Sequence, residues 1–210
     1  MSSITLYYFH DPMCSWCWGY SKTLRELRGA LPANLGFSRI LGGLAADTTE
    51  TMPLVLQQQI QNSWHRIEDM IPDVKFNFDY WTKCQPRRST YPACRAVIAA
   101  REQGQQYDEL MIKAIQAAYY QQARNTSLDD TLTALAEEIG LAVNRFTASL
   151  NSETTRQKLI DEINFARELD VDSFPSLRLV IDDKALPVAV DYLDANITLS
   201  AIQKQIDKHS

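Results

Sequence analysis

The sequence predicts an α/β fold in which one sheet is interrupted by a long helical insertion. Strand-like apolar runs occur early, at residues 4–9 and 36–41, and return only from about residue 174 onward. From about residue 46 to residue 169, apolar residues instead recur at the three- and four-residue spacing of helices. With 210 residues, the chain is long enough to bury the core that such a fold requires.

The N-terminal part predicts a strand–helix–strand unit. Residues 4–9 are apolar almost throughout, which is typical of a strand buried on both faces of a mostly parallel sheet. A helix is predicted from residue 14 to about Leu31, because Pro32 follows it. The run at 36–41 predicts the second strand, joined to the first by a right-handed crossover.

Helices are predicted throughout the middle of the chain. Pro92 fits the first turn of one helix. Ser127 and Ser152 are expected to cap two others, and Gly140 is expected to end the first of these. The apolar stripes that define the helices are Ile60, Trp64, Ile67 and Ile71; Ala96, Val97 and Ala100; Tyr107, Met111, Ile115 and Ala118; Leu132, Leu135, Ala136 and Ile139; and Leu159, Ile163, Ala166 and Leu169.

The C-terminal part predicts a hairpin followed by a helix. Strands are expected over residues 174–181 and 185–190, with a turn at 182–184 between them. Pro187 places the second of these strands at a sheet edge, because proline cannot donate to a ladder of hydrogen bonds. The closing helix is marked by Leu199, Ile202 and Ile206.

Composition and charge exclude several classes of partner. Apolar residues make up 45% of the chain and charged residues 22%, which is ordinary for a globular protein. The net charge of -5 disfavours nucleic acid as a partner, since phosphate binding requires clustered cations. No apolar run approaches the roughly 18 residues of a membrane span. The start of the chain carries no basic segment, so we expect a cytoplasmic location.

The most informative stretch places Cys14 and Cys17 between the first strand and the first helix. Unpaired N–H groups and the positive end of the helix dipole favour an anion at a helix N-terminus. Such a location lowers a thiol pKa from about 8.5 into the range of roughly 3.5–7.5. We therefore expect Cys14 to be an exposed, reactive thiolate and Cys17, one helical step inward, to be shielded. This arrangement is the one that reversible disulfide exchange requires.

Two simpler interpretations of the cysteines were weighed. A structural zinc site needs a second close pair of ligands, and nine residues separate the remaining cysteines, Cys84 and Cys94, so no metal is expected. Inert core thiols are disfavoured because a turn between a strand and a helix is usually exposed. Cys84 and Cys94 are either a second redox pair or free thiols, and the basic residues near them would lower their pKa values if they faced inward. Those basic residues are Lys83, Arg87, Arg88 and Arg95.

Two tracts resemble a known family. Residues 11–19 (DPMCSWCWG) and 84–96 (CQPRRSTYPACRA) are similar to the FrnE-like branch of the DsbA family, whose members are predicted protein-disulfide isomerases. The resemblance implies a thioredoxin-like fold with a large all-helical insertion. Residues 1–45 and 153–210 would form the thioredoxin-like domain, and residues 46–152 the inserted helical domain. Along essentially the whole chain, the order of strand, Cys-x-x-Cys, helical insertion and Phe-Pro before a strand is that of the family.

The resemblance also implies roles for individual residues. Cys14 matches the attacking cysteine, Cys17 the resolving cysteine, and Pro175 a cis-proline placed against the disulfide; these three are the predicted catalytic residues. Trp16, Phe174 and Pro175 are the predicted substrate-binding residues, with the backbone of Phe174 available to an extended peptide. Trp18, Trp64 and Tyr91 either extend an apolar groove for substrate or belong to the core.

One position departs from the family. DsbA relatives carry a buried carboxylate on the first strand, whereas residues 4–9 contain none. The proton acceptor for Cys17 is therefore open, with His10 and Asp11 as the nearest candidates and a solvated loop pair as the alternative.

The predicted function is that of a thiol–disulfide oxidoreductase or protein-disulfide isomerase. Its substrates would be protein or small-molecule disulfides and dithiols, with glutathione among the small molecules, and no cofactor is expected. The alternative is a glutathione-dependent isomerase or transferase of the kappa class, a group that resembles this architecture but typically has serine at the position of Cys14. A non-catalytic binding module is the third possibility, and it requires an ordinary pKa at Cys14.

Overall fold

The computed structural model describes residues 4–209. Four strands and nine helices are found within these residues. In chain order they are β1 Ile4–His10, α1 Ser15–Ala30, β2 Gly36–Leu41, α2 Leu54–Met70, α3 Tyr80–Lys83, α4 Tyr91–Arg101, α5 Gln106–Tyr120, α6 Asp129–Glu138, α7 Val143–Leu150, α8 Glu153–Glu168, β3 Ser176–Ile181, β4 Lys184–Val188 and α9 Ala195–His209.

The strands form one mixed sheet in the order β2-β1-β3-β4. Only β1 and β2 are parallel, while β1 with β3 and β3 with β4 are antiparallel. The expectation of a mostly parallel sheet is therefore wrong. A two-residue turn can join only antiparallel strands, and Asp182 and Asp183 form such a turn with φ values of 44° and 68°. Pro187 lies on the edge strand β4, as predicted.

The central strand β1 is covered on both faces, as its apolar sequence predicts. Leu6 and Tyr8 point into a core shared with α1, β3 and α9. Phe9 points to the opposite face, where it packs with Ala166 and Val171 at the end of α8. Residues on the two faces of β1 therefore belong to different cores. The C-terminal end of β1 leads directly into the Cys-x-x-Cys loop.

The helices between β2 and β3 build a core of their own. Residues 46–169 contain no strand, as predicted. The largest side chains that are fully buried in this core include Trp64, Tyr80, Tyr120 and Phe146. Helix α8 packs on both β2 and α4, and thus contacts the sheet and the insertion. The boundaries of the two predicted domains remain a prediction. Within residues 4–209, no helix combines the length and apolar character that crossing a membrane requires.

One predicted helix cap is confirmed and one is wrong. The hydroxyl of Ser152 accepts a hydrogen bond from the backbone N–H of Thr155 at 3.2 Å, which caps α8. Helix α6 instead begins after Leu128, which has no capping side chain. The hydroxyl of Ser127 instead donates to the carbonyl of Ser89 at 2.7 Å, a tertiary hydrogen bond, and does not cap α6.

Two further signals at helix ends are confirmed. Pro92 lies in the first turn of α4, where its missing N–H group leaves no partner unsatisfied. Gly140 follows the end of α6 with a φ of 80°, a conformation in which a residue without a side chain is favoured.

Candidate active site

Cys14 lies at the N-cap position of α1. Its backbone N–H donates to the carbonyl of Asp11 at 3.0 Å, which closes a tight turn between β1 and the helix. The residue is extended, with φ −82° and ψ 116°, and no side chain caps the helix. The free N–H groups of the first turn are therefore available to the Cys14 sulfur.

The two active-site sulfurs have shifted pKa values in opposite directions. The pKa of Cys14 is lowered, first by the hydrogen bond from the Cys17 thiol and then by the backbone N–H groups of Cys17 and Trp16, against burial and the charge of Asp11. The pKa of Cys17 is raised well above its ordinary value, chiefly by burial and then by the neighbouring Cys14. Cys14 is thus the sulfur that ionises first. The helix N-terminus contributes as predicted, but the partner thiol contributes more.

Cys14 is less accessible than the sequence suggests. Its relative exposure is 6%, against 1% for Cys17, so the expectation of an exposed thiol is wrong. The reason is the loop before β3, because the Cys14 thiol donates to the carbonyl of Phe174 at 3.4 Å. The Phe174–Pro175 peptide bond is cis, as the family resemblance implies. The predicted strand at 174–181 begins only at Ser176, which leaves Phe174 and Pro175 in the loop beside the sulfur.

A glycine on the opposite segment makes room for Phe174. A Cβ atom added to Gly42 would lie 1.9 Å from the Phe174 ring. No real Cβ contact is this short, so a side chain at position 42 would displace the ring. The backbone N–H of Gly42 also donates to the carbonyl of His10 at 2.7 Å, which ties this glycine to the end of β1. Gly42 therefore helps to determine where the Phe174–Pro175 loop lies.

Asp11 is buried beneath the Cys-x-x-Cys loop, so its interpretation as a solvated loop residue is wrong. Its carboxylate accepts hydrogen bonds from the N–H groups of Met13 and Leu44, each at 2.8 Å. It also accepts from the Thr90 hydroxyl at 2.6 Å and from the Cys94 thiol at 3.4 Å. Burial raises the pKa of Asp11, and these four donors oppose that shift. The side chain joins the loop to α4 of the insertion.

His10 is buried as well. Its relative exposure is 1%, and its ring stacks on that of Tyr8 with centroids 5.0 Å apart. Burial, followed by the charges of Arg39 and Arg101, lowers the pKa of His10 to about 3. The imidazole is therefore neutral at physiological pH, which leaves it able to accept a proton only at the cost of burying a charge.

Tyr8 is the site residue that the sequence analysis missed. Its hydroxyl hydrogen-bonds to Cys17, an interaction that lowers the pKa of Cys17 against the larger effect of burial. Burial and the nearby sulfurs raise the pKa of Tyr8 itself well above its ordinary value. The signal was available, because Tyr8 and His10 share one face of β1 at the end that enters the cysteine loop. A phenol, rather than the carboxylate expected on this strand, is the group beside Cys17.

The predicted substrate-binding and groove aromatics are divided between the site and the core. Trp16 is half-buried beside the cysteines, with its ring 5.4 Å from that of Tyr192 and 5.7 Å from the guanidinium carbon of Arg66. Trp18 stacks on Tyr120 at 5.6 Å. Trp64 is fully buried among the aromatic residues of the insertion, so of the two alternatives given for it, the core is the correct one.

Cys84 and Cys94 are free thiols with different partners. The Cys84 thiol donates to the carbonyl of Ala123 at 3.0 Å, whereas Cys94 donates to Asp11. Burial is the largest cause of a raised pKa at both cysteines, and no nearby cation lowers it, so the condition that the basic residues face these thiols is not met. Within residues 4–209, no three or more His, Cys, Asp or Glu side chains are grouped so that they could hold a metal ion.

Comparison with known families identifies the class of protein. A family model described as thioredoxin matches residues 7–188. The chain therefore belongs to the thioredoxin family, with the helical insertion that distinguishes DsbA-like structures, as its two specific tracts predict.

Solved structures share this fold along almost the whole chain. A candidate protein disulfide isomerase from Nitrosomonas europaea is 23% identical with a TM-score of 0.84, and the match covers 99% of this chain and all (100%) of that one. The cytosolic disulfide reductase DsbM from Pseudomonas aeruginosa is 24% identical with a TM-score of 0.76, covering 97% and 99% of the two chains. DsbM has also been solved with GSH.

Curated relatives of similar identity are longer than this chain. The ClpXP adapter protein SpxH of Halalkalibacterium halodurans is 22% identical over 200 residues, and that of Bacillus subtilis is 24% identical over 176 residues. The matches cover 90% and 83% of this chain but only 63% and 57% of those proteins. This chain thus spans about three fifths of the length of the curated relatives that it matches.

Proposed function

We propose that this protein is a thiol–disulfide oxidoreductase that exchanges disulfides through Cys14 and Cys17. The observation that carries the proposal is the opposite pKa shift of two adjacent sulfurs at the start of α1. A thiolate is the attacking species in disulfide exchange, and a protonated partner kept in reserve does not compete with it. The names of the similar structures, a disulfide reductase and a candidate disulfide isomerase, support the same class.

The reaction has two exchange steps. In the first, the Cys14 thiolate attacks one sulfur of a substrate disulfide, the S–S bond breaks, and the other substrate sulfur leaves as a thiolate that takes up a proton. In the second, Cys17 loses its proton and attacks the Cys14 sulfur of the mixed disulfide. The substrate leaves as a dithiol, and the enzyme keeps a Cys14–Cys17 disulfide. The reverse sequence oxidises a substrate dithiol.

Residues around Cys14 would bind the substrate. The Phe174 carbonyl already accepts from the Cys14 thiol, so a substrate approaching this sulfur meets the backbone of Phe174 and Pro175. The half-buried Trp16, between the two cysteines in sequence, offers an apolar contact. We assign Trp16, Phe174 and Pro175 to substrate binding, and Pro175 also to positioning at the catalytic sulfur.

The substrates that we propose are protein disulfides and small-molecule disulfides, with glutathione as the small thiol that restores the reduced enzyme. Two molecules of a small thiol reduce the Cys14–Cys17 disulfide and leave as one disulfide, so the cycle closes without a further cofactor. The structure of DsbM with GSH and its description as cytosolic support this partner and a cytoplasmic location.

Reduction of insulin with glutathione as the electron donor tests the proposal. Cys14→Ser should abolish activity, and Cys17→Ser should accumulate mixed disulfides that mass spectrometry identifies. Cys84→Ser, a change at a thiol outside the pair, is the matched control and should retain full activity. Residual activity in Cys14→Ser equal to that of the wild type would contradict the assignment. A glutathione-dependent transfer that survives in Cys14→Ser would support the kappa-class alternative.

A further inference from the structure

A cleft with a volume of about 300 Å³ opens between α1 and α5. Its inner wall is formed by Tyr8 and His10 of β1 and by Cys17. Neither Cys14 nor Phe174 lines it, so the cleft is distinct from the face on which we place substrate binding. Its volume is at the lower end of the range found for small-molecule sites, which is about 300–1,000 Å³.

The rim of this cleft is strongly basic in a chain whose net charge is negative. Arg25 and Arg28 of α1, Arg39 of β2 and Lys113 of α5 line it, together with the single carboxylate Glu109. Three of these cations converge on that carboxylate: Arg28 at 2.7 Å, Arg39 at 2.8 Å and Lys113 at 2.8 Å. Arg25 is exposed and has no ion pair within residues 4–209. The cleft therefore has more positive charge than its own acidic group can balance.

The inner end of the cleft holds an unpartnered polar atom. Nε2 of His10 is buried and has no hydrogen-bond partner, although the His10 side chain lines the cavity. A buried polar atom without a partner is costly, and native proteins usually satisfy it with protein, water or ligand. Leu24 and Ile112, which are buried, add apolar wall to the cleft, whereas Arg25 and Lys113 at its rim are exposed. The cleft thus has a polar inner end, an apolar middle and a cationic mouth.

We propose that the α1–α5 cleft binds a small organic dianion, either a short dicarboxylate or a phosphate ester. One negative group, the phosphate or one of the two carboxylates, pairs with Arg25 and its neighbours at the mouth, where unbalanced cations attract anions. The short carbon chain packs on Leu24 and Ile112, and the polar group at its other end, a hydroxyl or the second carboxylate, pairs with the neutral His10 ring. The bound molecule lies beside the resolving cysteine, Cys17, and its binding does not depend on the exchange reaction.

Nuclear magnetic resonance of the histidine rings gives a site-specific test. The chain contains three histidines, and of these only His10 lines the cleft, so His65 and His209 are internal references. Titration with succinate and, separately, with glycerol 3-phosphate should shift the His10 ring signals saturably and leave the other two unchanged. The anion that binds more tightly shows whether the cleft prefers a dicarboxylate or a phosphate ester. Uncharged succinamide should produce no shift at equal concentration.

Charge variants on α1 distinguish binding in the cleft from general electrostatic attraction of anions to the protein. Arg25→Gln removes the unpaired cation and should weaken binding about fivefold, the effect of losing one partly exposed ion pair. Lys22→Gln makes the same change in net charge on the same helix, outside the cleft, where Lys22 pairs with Asp73. It should leave affinity unchanged. Both positions are exposed, so both variants should fold.

A variant that fills the cleft completes the test. Ala117→Phe adds a ring to the α5 wall and leaves every cation in place, so it should abolish the His10 shift. The proposal is overturned by the absence of saturable shifts with both anions. It is also overturned by equal weakening in Arg25→Gln and Lys22→Gln, or by full binding to folded Ala117→Phe.

Discussion

At the scale of single residues, the chemistry of this site depends on how each sulfur alters the other. Cys17 lowers the pKa of Cys14 by donating a hydrogen bond to it, while Cys14 helps to raise the pKa of Cys17. The helix N-terminus adds two backbone donors to this pair. The lowered pKa of the attacking cysteine therefore depends on the resolving cysteine even without a bound substrate.

Replacing Cys17 separates the contribution of the partner thiol from that of the helix. In Cys17→Ala the pKa of Cys14 should rise, because the hydrogen bond with the largest lowering effect is lost. In Cys17→Ser a hydroxyl donor remains, and the rise should be smaller. Thiolate absorbance measured against pH in both variants checks the order. The same Cys14 pKa in the wild type and in Cys17→Ala would contradict the role given to the partner thiol.

Tyr8 should affect the second exchange step rather than the first. Tyr8→Phe removes the hydroxyl that lowers the pKa of Cys17, so the Cys17 thiolate should form less readily and the mixed disulfide should persist roughly tenfold longer. Quenched-flow measurement of mixed-disulfide decay checks this rate. Tyr7→Phe, on the opposite face of the same strand, is the matched control and should decay at the wild-type rate. An unchanged rate in Tyr8→Phe would remove Tyr8 from the mechanism.

At the scale of elements, the site is assembled where three segments meet. The end of β1 supplies Tyr8 and His10, the start of α1 supplies the two cysteines, and the loop before β3 supplies Phe174 and Pro175. Gly42, just after β2, leaves the space that the Phe174 ring occupies. Segments distant in the chain are thus brought to one end of the sheet by the register of its strands.

A methyl group at Gly42 should disturb this assembly. Gly42→Ala places a Cβ within 2.0 Å of two Phe174 ring atoms, so the loop must shift, at a cost of about 1–3 kcal/mol in the free energy of unfolding. Insulin reduction should also slow, because the loop contacts Cys14. Gly29→Ala is the matched control: no atom lies within 4 Å of its added Cβ, and this helix position should gain about 0.5–1 kcal/mol. Urea unfolding measures both changes, and wild-type stability and activity in Gly42→Ala would refute the packing argument.

At the scale of the whole molecule, a partly buried ionic network joins the insertion to the sheet. Arg101 at the end of α4 donates to Asp108 of α5 at 2.8 Å and to Glu162 of α8 at 2.6 Å. Glu162 also accepts from the backbone N–H of Leu41 at 2.6 Å, which reaches the end of β2. The two cores are therefore connected by polar contacts as well as by the cysteine loop.

Removing the cation of this network should destabilise the protein. Arg101→Ala leaves the carboxylates of Asp108 and Glu162 without their shared partner, at a cost of about 3 kcal/mol near neutral pH. The pKa of Glu162 is already raised by burial, and loss of Arg101 should raise it further. A carboxyl group whose pKa is raised in the folded state stabilises that state at low pH. This stabilisation is lost as the pH rises through the raised pKa. The deficit relative to the wild type should therefore shrink as the pH falls toward about 4.

Urea unfolding at several pH values checks this behaviour. Arg124→Ala is the control, because Arg124 pairs with the exposed Glu138 and its loss should cost less than about 1 kcal/mol. A deficit in Arg101→Ala that is no larger than in the control, or that grows in acid, would contradict the account.

Most elements were predictable from local pattern, although α3 and α7 were not predicted, and the site was predictable only in part. Helical periodicity, Pro92, Ser152 and Gly140 located elements correctly because these signals act within a few residues. Sheet direction, the burial of Cys14 and the release of Ser127 from its cap depend on partners more than 30 residues away, which no local pattern contains. Tyr8 was missed because the expected chemistry at that place was a carboxylate.

The pH dependence of alkylation at each cysteine tests the central claim most directly. Reduced protein is treated briefly with iodoacetamide across a pH series, and mass spectrometry gives the rate at Cys14, Cys17, Cys84 and Cys94. Cys14 should reach half of its maximal rate below pH 8.5, roughly the ordinary thiol value, and the other three cysteines above it. A Cys14 that titrates at or above the ordinary value would contradict the account.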